Sequence, residues 1–195
     1  MHIRFATGND GKLREARDYL EGIATVEQVD YDYTEIQSAS LEDIAAHGAR
    51  ETYRHLQGQA DADGVEGVDS PVDGVLVDDT GLFIDALGGF PGPYSAYVEN
   101  TVGVERMWGL AREEDDRRAH FRTVMAYADE TGVETFTGSV AGTLVAPRGD
   151  EGFGYDPIFE YNGQTFAEMV AAEKNAISHR GRALAAFADW LADSQ

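Results

Sequence analysis

Within the first twenty residues the hydrophobic period changes from two to about 3.6, and that change narrows the fold more than any other feature. Ile3 and Phe5 alternate with polar neighbours, as in a strand. The turn-rich stretch Thr7-Gly8-Asn9-Asp10-Gly11-Lys12 follows, and Leu13, Ala16 and Leu20 then form a helical stripe. Strand, loop, helix is the opening of an α/β fold. A second strand is predicted over Ala24 to Val29. Ser40-Leu41-Glu42-Asp43 fits a capping-box start for a helix with Ile44, Ala45, Gly48, Ala49, Tyr53 and Leu56 on one face. Val75-Leu76-Val77 reads as a buried strand that ends in Asp78-Asp79-Thr80-Gly81, where an α/β sheet delivers acids. Gly88 to Ser95 reads as a rigid loop, and Val104, Met107, Trp108 and Ala111 mark a helix. Phe121 to Ala128 and Glu134 to Ala146 read as an antiparallel pair around a turn at Asp129 to Gly132. Leu184, Phe187, Ala188 and Leu191 belong to a closing amphipathic helix.

The 195 residues fit one domain over 1–195, and 43% apolar content excludes global disorder. Gln57 to Gly74 holds four glycines, one proline, five acids and no base, which predicts a mobile acidic insertion over 57–74 with no chemistry. The absence of cysteine excludes disulfides, thiolate zinc sites and cysteine nucleophiles. Apolar runs such as Val124 to Ala128 fall far short of the roughly 20 residues that span a bilayer. The opening Met-His-Ile-Arg-Phe-Ala has no apolar leader core, so a cytoplasmic protein without a membrane role is expected. Fifteen basic against thirty-six acidic residues give a formal charge of -21. Such a surface repels nucleic acid, which makes a nucleic-acid partner a poor expectation. It suits a salt-rich cytoplasm, where at about 1 M salt charges are screened within about 3 Å.

Only two of the fifteen basic residues are lysines, Lys12 and Lys174, and both lie in segments of unusual composition. Around Lys12, a glycine-bearing turn between strand and helix exposes backbone N–H groups that favour an anion. Asn9 adds an amide and Lys12 a mobile charge, as a phosphate tail requires; an ordinary helix cap by Thr7 or Asn9 explains the same residues. Asp78 and Asp79 offer hard oxygen ligands for magnesium bridged to phosphates, or a base for water, and equally make a turn. Glu35, after the second strand, offers a third carboxylate but reads by itself as any surface acid. In Gly152-Phe153-Gly154-Tyr155-Asp156-Pro157 two rings and a carboxylate suit a planar base, or else anchor a turn in the core. Around Lys174, the stretch Glu173 to Gly181 gathers Lys174, Ser178, His179 and Arg180 at the start of the last helix. Cations there oppose the macrodipole, so a ligand explains them better than stability does.

Taken in order, these segments resemble the inosine triphosphate pyrophosphatase family, in a salt-adapted, archaeal-type member. The resemblance runs from near residue 5 to near residue 185. It rests on Thr7-Gly8-Asn9 with Lys12, Asp78-Asp79-Thr80-Gly81-Leu82 leading to Pro91-Gly92-Pro93-Tyr94-Ser95, Gly152 to Phe159, Thr165-Phe166-Ala167-Glu168-Met169, and Glu173-Lys174-Asn175 with Ser178-His179-Arg180-Gly181. It implies a mixed-sheet α/β fold of two lobes around a nucleotide cleft, a homodimer, and hydrolysis of ITP, dITP and XTP to monophosphate and pyrophosphate with Mg2+, or Mn2+ in its place. By the same resemblance Asp79 is the catalytic carboxylate, Asp78, Asp79 and Glu35 are metal ligands, and Thr7, Gly8, Asn9, Lys12 and Thr80 meet the phosphates. Phe153, Gly154, Tyr155, Asp156, Lys174, Ser178, His179 and Arg180 then form the base and sugar-phosphate pocket. Two departures stand out: the family's Ser-Ala-Arg-Tyr is here Ser95-Ala96-Tyr97-Val98, and a lysine early in the second helix has no counterpart in Ala46 to Arg50. A nucleotide binder without hydrolysis, and a pyrophosphatase for modified pyrimidine triphosphates, remain as alternatives.

Overall fold

A computed structural model describes residues 1–63 and 72–193. Strand β1 (His2–Ala6) runs into helix α1 (Asp10–Tyr19), strand β2 (Thr25–Val29) and helix α2 (Leu41–Asp63). Strands β3 (Gly74–Ile84) and β4 (Pro91–Gly92) lead to helices α3 (Ser95–Thr101) and α4 (Val104–Ala111). The chain ends with β5 (Arg118–Ala128), β6 (Val133–Leu144), β7 (Phe159–Tyr161), β8 (Gln164–Thr165), α5 (Ala171–Ile177) and α6 (His179–Asp193). The strands form one mixed sheet in the order β2-β1-β3-β5-β6-β7-β8, with β4 paired to β3. β1 is parallel to both β2 and β3, with Ile3 beside Val26 and Gly74. β4 is antiparallel to β3, as β7 is to β6 and β8 to β7. Parallel strands at one end and antiparallel ones at the other make this the mixed α/β class that the period change implies.

Two compact units share these strands. The first comprises Met1–Asp79, Val124–Thr137 and Ala183–Gln195, and the second Thr80–Thr123 and Gly138–Arg182. The first has a core of Ile3, Phe5, Leu13, Ala16, Leu20, Leu76, Met125, Leu184 and Phe187. The stripe that opens the chain and the stripe that closes it are thus one apolar cluster, each large side chain contributing roughly 1.5–3 kcal/mol. Tyr127, Phe136, Phe187 and Trp190 extend it, with ring centroids 5.3–6.2 Å apart. Gly74 has to be glycine here, since a Cβ would lie 2.3 Å from the Tyr127 ring. The second unit has its own core, in which Phe121, Phe159 and Phe166 pack with centroids 4.6–5.8 Å apart.

Four local expectations are corrected. The acidic stretch does not open as a loop at Gln57: α2 continues to Asp63 and Gly74 already belongs to β3, while residues 64–71 lie outside the described residues. Asp78-Asp79-Thr80-Gly81 is not a turn at a strand end; β3 runs through it to Ile84. The cause is β4, whose Gly92 carbonyl oxygen would stand 2.3 Å from a Cβ on residue 81, so Gly81 is a glycine of close approach. The capping box forms only by half. Ser40 Oγ accepts from the Asp43 N–H at 3.1 Å, but the Ser40 N–H donates to Ser38 Oγ rather than to the Asp43 carboxylate. Finally, Lys174 does not share a helix start with His179. It occupies the last turn of α5, where the macrodipole favours a cation, and Ser178 separates the two helices. No helix among the described residues is long and apolar enough to cross a membrane.

Candidate functional site

In the first unit the candidate residues lie on the β1–α1 loop and on β3. Asn9 is the N-cap of α1, its Oδ1 accepting from the N–H groups of Gly11 at 2.8 Å and Lys12 at 3.2 Å. Thr7 Oγ1 accepts from the Asn9 N–H at 3.2 Å. The ordinary cap is therefore present, and it takes up the N–H groups of Asn9, Gly11 and Lys12, while Gly8 and Asn9 are exposed. Lys12 is not the mobile charge the sequence suggests: its Nζ donates to Asp78 Oδ1 at 2.8 Å, and the Asp78 side chain is only 1% exposed.

Successive residues of a regular strand point to opposite faces, so Asp79 is turned away from Asp78 on β3. Tyr33 is the neighbour that sequence reasoning missed. Its ring lies over Gly48 of α2, where a Cβ would stand 2.5 Å away. Its hydroxyl pKa is pushed far up, first by burial and then by the charges of Asp78, Asp79, Glu35 and Asp32. It thus stays a neutral donor amid carboxylates. Glu35 is exposed, and its charge acts on Tyr33 together with those of Asp78 and Asp79; no closed group of three or more potential ligands is gathered among the described residues. The segment from Asp30 to Ser40 has no regular secondary structure that would fix Glu35 beside the aspartates.

In the second unit the loop from Gly152 to Asp156 meets α5. Asp156 is buried, and its Oδ2 accepts from the Phe153 N–H at 2.8 Å and from Lys174 Nζ at 2.5 Å. Gly152, at φ +78°, leaves room for that oxygen, because a Cβ would stand 2.3 Å from it. Lys174 Nζ also lies 4.6 Å from the Phe153 ring centroid and 5.6 Å from that of Phe166. The two rings of this loop divide their tasks. Phe153 is 63% exposed, with a face open to a ligand, while Tyr155 is buried as an anchor and donates its hydroxyl to the Ser95 carbonyl at 2.9 Å. Burial, then Glu99, raises the Tyr155 hydroxyl pKa. Beside Gly154, the Glu99 carboxyl is pushed up by burial and by the charge of Asp156.

At the start of α6, Ser178 Oγ accepts from the Gly181 N–H at 2.9 Å, the expected N-cap. His179 is buried, stacked on Phe121 at 5.1 Å, with Nδ1 2.6 Å from Thr123 Oγ1. Thr123 Oγ1 is in turn 2.6 Å from Thr80 Oγ1. Arg180 is half-buried. Thr123 also escaped sequence reasoning, although a signal existed. Ala119, Phe121, Thr123, Met125 and Tyr127 occupy one face of β5, and Thr123 is the one non-aromatic polar residue in that buried row.

The two groups thus comprise a capped helix start with a lysine held on a buried aspartate, and an exposed ring beside a second such lysine with histidine and arginine on the next helix. A family model described as the Ham1 family matches residues 3–190. The chain is 50% identical over 196 residues to the dITP/XTP pyrophosphatase of Methanopyrus kandleri, covering 97% of this chain and 96% of that one. It is 38% identical over 193 residues to the inosine triphosphate pyrophosphatase of Phaeosphaeria nodorum, covering 98% of this chain and 94% of the other. The solved Ham1 protein of Staphylococcus aureus matches over 100% of both chains with a TM-score of 0.84 at 26% identity.

Proposed function

The chain belongs to the Ham1 family, and from that premise we propose that it hydrolyses the deaminated purine nucleoside triphosphates ITP, dITP and XTP to monophosphate and pyrophosphate, clearing them from the nucleotide pool. The observation that carries this reading is the full-length likeness to relatives named for that chemistry, at 50% identity in the Methanopyrus kandleri protein.

In this reading the polyphosphate binds at the helix start, on the loop of Thr7, Gly8 and Asn9. Lys12 has three N–H donors, so its ammonium bonds a phosphate oxygen while it keeps Asp78. The donor set also fits magnesium. The ion takes hard oxygens and needs only one or two carboxylates when phosphates supply the rest. Asp78 faces away on the regular strand and is held by Lys12, so we assign Mg2+, with Mn2+ as its substitute, to Asp79 with Glu35, whose charges both act on Tyr33; when bound, the ion neutralises phosphate charge. Asp79 orients a water toward the α-phosphorus and takes its proton. The new P–O bond forms as the bond to the bridging oxygen breaks, and pyrophosphate leaves. Positioning and charge stabilisation carry most of the rate.

Phe153 stacks on the base, and Lys174 on Asp156 supports both ring and loop. Tyr155 and Ser178 hold the backbone that carries these contacts. His179 and Arg180 act as donors to the 6-oxo group. Adenine presents an N6 donor there, and donor facing donor costs about 1–3 kcal/mol. The protein works as a homodimer in a salt-rich cytoplasm, a setting that a charge of -21 supports.

The test is a panel of nucleoside triphosphates with Mg2+ at high and low salt, with products identified. ITP and XTP should yield monophosphate and pyrophosphate well ahead of ATP. Diphosphate and phosphate as products, or equal rates on ATP and ITP, would overturn the reading.

A further inference from the structure

We propose that Thr123 is a positioning residue for base selection: its hydroxyl donates to Nδ1 of His179 and so keeps the imidazole proton on Nε2. The proposal rests on the reading of His179 as donor to a 6-oxo purine. Thr80, Thr123 and His179 form a chain inside the second unit, with both links at 2.6 Å and Thr123 fully buried.

A hydroxyl has one proton to give. Thr123 can therefore donate to only one of its two neighbours, and where it donates to one it accepts from the other. If it donates to Thr80, a neutral imidazole has to supply the other bond from an Nδ1–H, and Nε2 then carries a lone pair. If it accepts from Thr80 and gives its own proton to Nδ1, the ring proton stays on Nε2. Both arrangements satisfy the buried hydroxyl, and they give the ring opposite faces. An Nε2–H matches the oxygen of a 6-oxo purine. A lone pair at Nε2 matches the amino group of adenine. The direction of two buried hydroxyls thus becomes a choice between bases.

Nothing local lets the ring escape that choice by rotating. Its stack on Phe121 at 5.1 Å and its burial hold the ring plane. The Ser178 cap holds the backbone at the first residue of α6. No other side chain in the row from Ala119 to Tyr127 on that face of β5 could donate this bond except Tyr127, which lies in the first unit's core.

The test compares Thr123→Val, which removes the hydroxyl, with Thr123→Ser, which keeps it. Nitrogen-15 NMR of the full chain reads the His179 tautomer, with its signals identified by their loss in His179→Gln. The wild type and Thr123→Ser should show the Nε2–H tautomer, and Thr123→Val a mixture. The kcat/KM ratio of ITP to ATP should fall about tenfold in Thr123→Val and recover in Thr123→Ser. A wild-type ring protonated on Nδ1, or a Thr123→Val chain with the wild-type tautomer, would overturn the proposal. If no triphosphate is turned over, the hydrolase reading fails, and the tautomer spectra still decide the role of Thr123.

Discussion

Replacing Lys12 with methionine removes the ammonium 2.8 Å from Asp78 Oδ1 and leaves a carboxylate of 1% exposure facing a thioether. Removing one partner of a buried ion pair costs about 3–5 kcal/mol. Lys12 itself is 22% exposed, so water recovers part of that, and about 2–3 kcal/mol is expected. For a chain of this size the thermal midpoint should fall by roughly 4–12 °C. The assay is denaturant unfolding of the wild type, Lys12→Met, Asp78→Asn and the double variant at one fixed salt concentration. If the two side chains stabilise each other, the double variant loses less than the sum of the singles by about 1–2 kcal/mol. Because the charges are in contact, within the screening length even at high salt, the coupling should persist as salt is raised. Additive losses, or a Lys12→Met midpoint equal to the wild type, would refute the pairing. Stability is read without substrate, so the outcome is independent of any role in catalysis.

Asp79→Asn should abolish turnover of ITP with an unchanged unfolding midpoint; near-normal turnover would remove Asp79 from its assigned place. Gly152→Ala sets a Cβ against Asp156 Oδ2 at a backbone φ of +78°, and should cost about 1–3 kcal/mol and raise KM for ITP by displacing Lys174. Glu99→Gln should stabilise the fold at neutral pH. The Glu99 carboxyl titrates above its ordinary value in the folded state, through burial and then Asp156, so its ionised form opposes folding. That penalty is absent below the unfolded pKa and grows as pH rises through the folded one. Unfolding curves of the variant and the wild type should therefore converge in acid and separate toward neutrality.

The elements that position the site were legible wherever the signal is local. The alternation at Ile3 and Phe5 with the stripe at Leu13, Ala16 and Leu20 predicts β1, α1 and their loop, and Ser178 predicts its own cap. What stayed hidden depends on distant partners. Gly81 looks like a turn glycine because the Gly92 carbonyl that requires it is eleven residues away. The pairing of Lys12 with Asp78 spans 66 residues, and that of Thr123 with His179 spans 56. Composition also misled at Gln57 to Asp63, where an acidic, glycine-bearing stretch continues a helix begun upstream. Glu35 shows the opposite limit. The resemblance alone suggested it as a ligand, and on its exposed, irregular segment its nearness to the aspartates registers through the charge it shares with them on Tyr33.

Each of the two lysines bonds one oxygen of a buried aspartate, in a chain whose other basic residues are all arginine. A guanidinium is a broad planar fork, whereas an ammonium is a compact point charge that fits a single oxygen in a confined space. The consequence is practical. Acylating reagents find only two side-chain amines on this protein, one in each unit, and both are masked while their carboxylate contacts last. The reactivity of each amine therefore records whether its own contact is closed or open, with no background from surface lysines.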